Sequence, residues 1–250
     1  MKTIATLLIL LLFSVFGAGQ STQSGSALQF KGGQHASCAL ELPADQATFS
    51  LDFRFKSNRN SPNFKDFQRI LCWNDGSKVR LEFGLDRGTL RAFLFSENGE
   101  SSWGGMVKGK SGVADGEWHQ VAFSQHVEHW EFWVDGGQVA TATARFSPGK
   151  MLLLGKWYQG GEFAGLLDDV RVWATDLSLE QFAHGTPEPL VFYDFNHIIP
   201  GKTDQINDRN GSRPLTLYGF GPEALVPENG LFEKTPTPDL DPDWPSQPSK

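Results

Sequence analysis

Gly165-Leu-Leu-Asp-Asp-Val-Arg-Val-Trp173 runs directly into Ala174-Thr-Asp-Leu-Ser-Leu-Glu-Gln-Phe182, and this junction decides how the whole chain reads. Its first half predicts a strand and its second half a capped helical turn. The Ser178 hydroxyl is placed to accept from the amide of Gln181, the Gln181 side chain to reach back, and Gly185 to stop the turn. No other helical turn is written as clearly, so the remainder must be tested for the period of strands.

That period is two. Phe49, Leu51, Phe53 and Phe55 share one face while Ser50, Asp52 and Arg54 take the other, which predicts a strand with one dry and one wet side. Val79, Leu81, Phe83 and Leu85 repeat the pattern against Arg80 and Glu82. Asp86-Arg87-Gly88 then reads as a three-residue turn into Thr89 to Phe95, with glycine where positive φ is cheap. Val121 and Phe123 point inward on one strand, Trp130, Phe132 and Val134 on the next, and Asp135-Gly136-Gly137 turns the chain back. Beyond the helical turn, Leu190 to Phe195 and Leu215 to Tyr218 read as strands on either side of the Ile206 to Gly211 loop. An all-β antiparallel sandwich with one short helix follows, as one domain over residues 20–222, since such sandwiches run to about 200 residues as a single unit.

Three segments in order carry a family resemblance. Asp115-Gly-Glu-Trp-His-Gln-Val-Ala-Phe-Ser124 resembles the Trp-His strand of laminin G-like domains, Phe132-Trp-Val-Asp-Gly136 their Asp-Gly hairpin, and Gly165 to Phe182 their closing signature. The resemblance spans roughly residues 27 to 220. It implies the concanavalin A-like jelly roll shared by laminin G modules, pentraxins, legume lectins and several glycosidases, with the short helix plugging one end. So wide a membership settles fold better than function.

The two ends of the chain read differently from its middle. Lys2 is the only charge in residues 1–19, Ile4 to Phe16 is a nearly unbroken apolar run, and Gly17, Ala18 and Gly19 are small, as in a secretory signal peptide. The run is too short to cross about 30 Å of hydrocarbon, so no membrane span is expected. Residues 223–250 are expected to be a disordered tail, because the last seventeen hold five prolines with Asp239, Asp241 and Asp243. Export, to the periplasm or the extracellular space, places Cys38 and Cys72 in an oxidising compartment and predicts a disulfide between them. The alternative is two buried free thiols, and the pentraxin disulfide joins a different pair of strands. The net charge of −7 and the lack of a basic block argue against nucleic acid as partner.

Catalytic patterns are not found. Glycosidases on this fold set carboxylates on alternate residues of one strand, and the nearest approach is Glu131, Trp133 and Asp135, with tryptophan in the middle and Asp135 opening a turn. No Gly-x-Ser-x-Gly elbow occurs. His119 reads as a polar residue of the wet face, and His35, His126, His129, His184 and His197 show no zinc spacing. The resemblance also raises calcium, which laminin G modules and pentraxins hold at the sandwich rim. Asn74-Asp-Gly76 matches one pentraxin loop loosely, but Lys156-Trp-Tyr-Gln159 stands where that pattern is acidic. At most one calcium ion is expected, with Asp194, Asp204 and Asp208 as oxygen donors unless these residues only cap turns.

Aromatic side chains supply the remaining clue. Trp157 and Tyr158 fall in a loop between Gly155 and Gly160, where flat rings can stack on the apolar face of a sugar. Gln159 and Glu162 are the expected hydrogen-bonding partners, and Trp133, Trp103 and Trp73 the possible extension of the platform. The sequence therefore predicts a secreted non-catalytic module that binds glycan. Its rivals are a protein-binding module of an envelope or extracellular assembly, and a polysaccharide hydrolase or lyase with a dispersed site.

Overall fold

Among the described residues, sixteen strands and one helix follow from the period-two segments and the capped turn. In chain order the first eight strands are β1 (Ser26–Lys31), β2 (His35–Ala39), β3 (Phe49–Asn58), β4 (Phe67–Asp75), β5 (Lys78–Asp86), β6 (Thr89–Leu94), β7 (Met106–Ser111) and β8 (Asp115–Gln125). Then come β9 (Trp130–Val134), β10 (Gly137–Ala142), β11 (Met151–Leu154), β12 (Ala164–Trp173), α1 (Leu179–His184) and β13 (Val191–Tyr193). The chain closes with β14 (Gln205–Ile206), β15 (Leu215–Tyr218) and β16 (Leu225–Pro227). This computed structural model describes residues 25–43, 46–76, 78–95, 106–146, 148–156, 160–184, 187–196, 199 and 201–228. The expected signal segment 1–19 lies outside the described residues.

The strands form two antiparallel sheets. The first runs β10-β9-β8-β3-β12-β1-β16, with β13 also on β12, and the second β14-β15-β2-β11-β4-β5-β6-β7. This is the expected jelly-roll sandwich. Its core lies between the sheets, where Phe53, Phe83, Phe123 and Phe132 meet edge to face or tilted at centroid distances from 5.5 to 6.0 Å. Phe49, Leu51, Phe53 and Phe55 are all at most 1% exposed, and each such burial stabilises by roughly 1.5–3 kcal/mol. Both Asp-Gly and Arg-Gly hairpins are two-residue turns. Val134 pairs with Gly137 across Asp135 (φ 51°) and Gly136 (φ 75°), and Asp86 pairs with Thr89 across Arg87 (φ 49°) and Gly88 (φ 75°). Two positive φ values in succession match the right-handed strand twist, so the second turn is one residue shorter than expected.

The wet face of β3 is drier than its alternation implies. Ser50 and Asp52 are fully buried because neighbouring strands close over them. Ser50 Oγ meets Ser124 Oγ at 3.0 Å, and Asp52 accepts from Arg171 Nε at 2.8 Å, from Arg171 Nη2 and from Gln120 Nε2 at 3.1 Å. Burial pushes Asp52 up to about 6 while Arg171 pulls it the other way. Glu82, also expected on a wet face, is 4% exposed beneath Arg69.

Helix α1 follows the expected capping. Ser178 Oγ accepts from the Gln181 amide at 3.3 Å and Gln181 Oε1 from the Ser178 amide at 2.8 Å. The helix lies on the outside of the first sheet, where Phe182, Trp133, Trp173, Leu177 and Ala122 form a second buried cluster. Phe182 stands edge-on to Trp173 at 5.4 Å and to Trp133 at 5.9 Å.

Two expectations fail on geometry. Cys38 and Cys72 are buried free thiols, not a disulfide. Cys38 pairs with Leu152 and Cys72 with Leu153, so β11 runs between them. One intervening strand holds them about 10 Å apart, and successive residues Leu152 and Leu153 face opposite sides of the sheet, beyond the reach of an S–S bond. Burial pushes the Cys38 thiol up to about 11, and burial followed by the charge of Glu82 raises Cys72, so both are unreactive in the folded chain. The sandwich also continues past the boundary expected at residue 222, because Leu225–Pro227 adds a strand to β1 and the Glu228 amide donates to Gly25 O at 3.0 Å.

Candidate functional site

At the end of the sandwich where β11 stops, Gly155 adopts φ 84°, and the chain leaves through Lys156 and returns at Gly160. Both stems of that loop are pinned. Arg69 donates its backbone amide to Gly161 O at 2.6 Å and its Nη1 to Gly160 O at 3.0 Å, while Asn63 Nδ2 donates to Glu162 O at 3.0 Å. Gly161 sits at φ 76° against the Arg69 guanidinium, which leaves no room for a Cβ. Across the stems, Lys156 Nζ pairs with Glu162 Oε1 at 3.1 Å. The second carboxylate oxygen, Glu162 Oε2, lies beside Gly32 and Gly33.

Next to these glycines stands an open aromatic ring. Leu215 and Leu217 of β15 face the core, so Tyr218 faces out, and at 45% it is one of two exposed large hydrophobic residues among the described ones. Its ring lies flat on His35, with centroids 4.5 Å apart and planes 6° from parallel. Burial, and then the charge of Lys156, hold His35 below its usual value, so the imidazole under Tyr218 is neutral near pH 7. A held, exposed ring can stack on the apolar face of a sugar, and the Lys156–Glu162 pair, whose ammonium acts on His35, can bond to hydroxyls.

Of the residues singled out in sequence, Glu162 is in this site. Trp157, Tyr158 and Gln159 are in the stretch between its stems, and they and Trp103 lie outside the described residues. Trp73 and Trp133 do not belong to it. Trp73 is completely buried in the core, its Nε1 donating to Leu40 O at 3.1 Å, and Trp133 is 5% exposed beneath Phe182, so neither ring can meet a ligand. His35 and Tyr218 were missed. Their signal was the alternation of Leu215-Thr-Leu-Tyr218, which leaves an aromatic residue on the wet side.

The three aspartates expected to bind calcium do not converge. Asp208 is buried, and its carboxylate accepts from the Ser212 amide at 2.7 Å, the Arg213 amide at 2.8 Å and Ser212 Oγ at 3.2 Å. Asp194 Oδ1 accepts from the Asn196 amide at 3.1 Å, and Asp204 is exposed. A calcium ion needs six or more oxygens at one point, and this set does not fit one. Glu131 and Asp135, the pair nearest to a glycosidase pattern, are tied into separate networks. Asp135 accepts from the Gln120 amide at 2.9 Å and Lys110 Nζ at 2.7 Å, and meets His119 Nδ1 at 2.9 Å. His119 is 8% exposed, held between Asp135 and Asp115 Oδ1 at 3.1 Å, and is not on an open face. Burial lowers His119, but its bonds to the two aspartates outweigh that and raise it. Burial would raise Asp135, but His119 and Lys110 bring it down to about 2.

Comparison with known proteins agrees with this architecture. No curated protein matches the chain in sequence. In structure it is similar to a protein from Bacteroides ovatus ATCC 8483 that is provisionally described as carbohydrate-binding, with a TM-score of 0.63, 14% identity, and coverage of 86% of this chain. The match spans 63% of that protein, so the relative is the longer of the two. A heptameric SAP-like pentraxin of Limulus polyphemus matches at TM-score 0.49 and 18% identity over 66% of this chain and 83% of its own. Domains LG4-5 of the mouse laminin alpha1 chain match at TM-score 0.47 and 16% identity over 70% and 48%. Residues 30–183, more than half of the chain, match the profile of the Laminin_G_3 family, and the chain belongs to that family of the concanavalin A-like lectin/glucanases superfamily.

Proposed function

We propose that this chain is an exported, non-catalytic module that binds glycan at the rim formed by Tyr218, His35, Lys156 and Glu162. The observation that carries the reading is the Tyr218 ring, exposed and held flat on His35, the imidazole on which the charge of Lys156 acts. Family membership supports it, as does the fold shared with the Bacteroides ovatus protein provisionally described as carbohydrate-binding. In this reading Tyr218 stacks on a sugar face, Glu162 accepts from hydroxyls, and Trp157 and Tyr158 extend the platform from the loop between the pinned stems.

Glycan-array screening followed by titration of the best ligand tests it. Tyr218→Ala should weaken binding by about 1–3 kcal/mol, and Trp157→Ala with Tyr158→Ala should weaken it further. Binding that survives all three substitutions in a folded chain removes the rim from consideration. Release of reducing sugar from the bound polysaccharide would replace the module with an enzyme.

A further inference from the structure

The opposite end of the sandwich, where β8 turns into β9, gathers His126, His129 and Glu131. One ligating atom from each falls in a group whose members all lie within 4.8 Å of one another, the only such group among the described residues. Their sequence spacing, His126-x-x-His129-x-Glu131, spans a tight turn in which the His126 amide donates to His129 O at 2.8 Å. Beneath the turn, the fully buried Gln125 sends its Nε2 to His126 O at 2.6 Å, His129 O at 3.2 Å and Ala144 O at 3.1 Å. The backbone carrying both imidazoles is therefore fixed from below.

The outer contacts orient the donors. His126 Nδ1 meets Asp176 Oδ2 at 2.8 Å, Glu131 Oε1 accepts from Gln138 Nε2 at 3.0 Å, and the His129 ring stacks on His126 at 4.4 Å. With Nδ1 engaged by Asp176, His126 Nε2 is directed at Glu131 Oε2 3.1 Å away, so an imidazole nitrogen and a carboxylate oxygen face each other as two ligands of one cation would. A ligating histidine whose far nitrogen donates to a carboxylate is the usual arrangement around zinc.

The geometry points to a zinc-class divalent metal site made by His126 Nε2, His129 and Glu131, with Asp176 as the positioning residue of His126. Two imidazole nitrogens and one carboxylate oxygen suit zinc and its neighbours in the transition series rather than calcium or magnesium. Ligand atoms around a tetrahedral zinc stand about 3.4 Å apart. Rotation of the His129 and Glu131 side chains closes the remaining gap on a backbone already held. A shallow groove lined by Glu128, His129, Thr141, Ala142 and Thr143 gives the ion a path of entry and leaves room for a fourth ligand.

The test uses the full chain, purified without an affinity tag and stripped with chelator, titrated with zinc alone by calorimetry and with cobalt(II) by visible absorption. The expected result is one equivalent of zinc, a cobalt spectrum of tetrahedral type, and a rise in Tm on zinc addition. His129→Ala and Glu131→Gln should each lower zinc affinity at least tenfold, and Asp176→Asn should lower it about 10- to 100-fold although it removes no ligand. His184→Ala, which deletes an exposed histidine of α1, should change nothing. Absence of zinc binding by the wild-type chain overturns the site, as does affinity unchanged by His129→Ala with Glu131→Gln in a chain of unaltered circular dichroism. Equal competition by calcium overturns the choice of metal.

Discussion

Trp133 and Tyr218 occupy equivalent positions and meet opposite fates. Each is the outward-facing aromatic residue of a strand whose alternate residues are in the core, Trp133 on β9 and Tyr218 on β15. Trp133 is 5% exposed because α1 folds Phe182 over it, whereas Tyr218 is 45% exposed and lies flat on its neighbour His35. Alternation along a strand says which face a side chain takes. Whether that face meets water is decided by chain that folds back over it later, and here by the single capped turn after Trp173.

The largest expected effect breaks the two residues apart. Trp133→Ala should destabilise the fold by roughly 3–5 kcal/mol, because it opens a cavity under Phe182. Tm should fall by about ten degrees. Tyr218→Ala should stay within about 0.5 kcal/mol of wild type, as surface changes do, while losing ligand. Equal losses of Tm in calorimetry would make Tyr218 a packing residue and end the comparison. Removing the cover at its hinge is the next test. Ser178→Ala takes the cap from α1 and should cost about 1 kcal/mol, seen as a Tm lowered by roughly 2–4 °C.

Covered polar groups sharpen the same contrast. Asp168, on β12, is 2% exposed, and burial first, then its hydrogen bond to Glu228 and the charge of Asp169, raise it strongly. A carboxyl raised in the folded state adds stability below its unfolded value near 3.9 and loses it as pH rises, so at pH 7 it is a burden. Asp168→Asn keeps the acceptor for the Asp169 amide, which now bonds Asp168 Oδ1 at 2.8 Å, and offers Glu228 a donor. It should raise Tm by a few degrees at pH 7, about 1 kcal/mol, with the gain shrinking toward pH 4. A neutral or negative shift at pH 7 would mean that Asp168 is ionised and held by Arg54, whose Nη1 stands 3.9 Å away.

The smallest effect concerns His119, on β8. Its raised value means stability that is complete below about 6.5 and declines as pH rises through the folded value. Asp135, lowered to about 2, adds stability above about 3.9 that is lost as pH falls toward 2. Together they predict that the contribution of this pair to Tm is flat from about pH 4 to 6.5 and falls shallowly on the alkaline side. In His119→Gln the alkaline part of the calorimetric profile should be less steep than in the wild type, while the decline that Asp168 imposes remains.

Most of the fold was legible because it rests on local pattern. Phe49 to Phe55, the Asp135-Gly136 turn and the Ser178–Gln181 cap all behave as short-range chemistry requires. What was not legible depends on the third dimension. The Cys38–Cys72 pairing failed because β11, far along the chain, runs between the two thiols. Asp52 and Trp133 were read as wet because residues at 120, 171 and 182 that cover them are distant in sequence. The rim was half visible. Glu162 could be found beside its loop, but His35 and Tyr218 stand 183 residues apart and meet only through the pairing of β2 with β15. His126, His129 and Glu131 are close in sequence, but their spacing belongs to a hairpin turn rather than to a helix, and their side chains gather only where β8 turns into β9.

The bond from the Glu228 amide to Gly25 O has a consequence for engineering. Polypeptide entering before Gly25 and leaving after Glu228 does so at one point, so the sandwich is in effect a closed ring with a single seam. Such a unit can be spliced into a permissive loop of a host protein without prying its insertion site apart. It can also be circularly permuted by joining Glu228 to Gly25 through a short Gly-Ser linker and cutting the chain elsewhere.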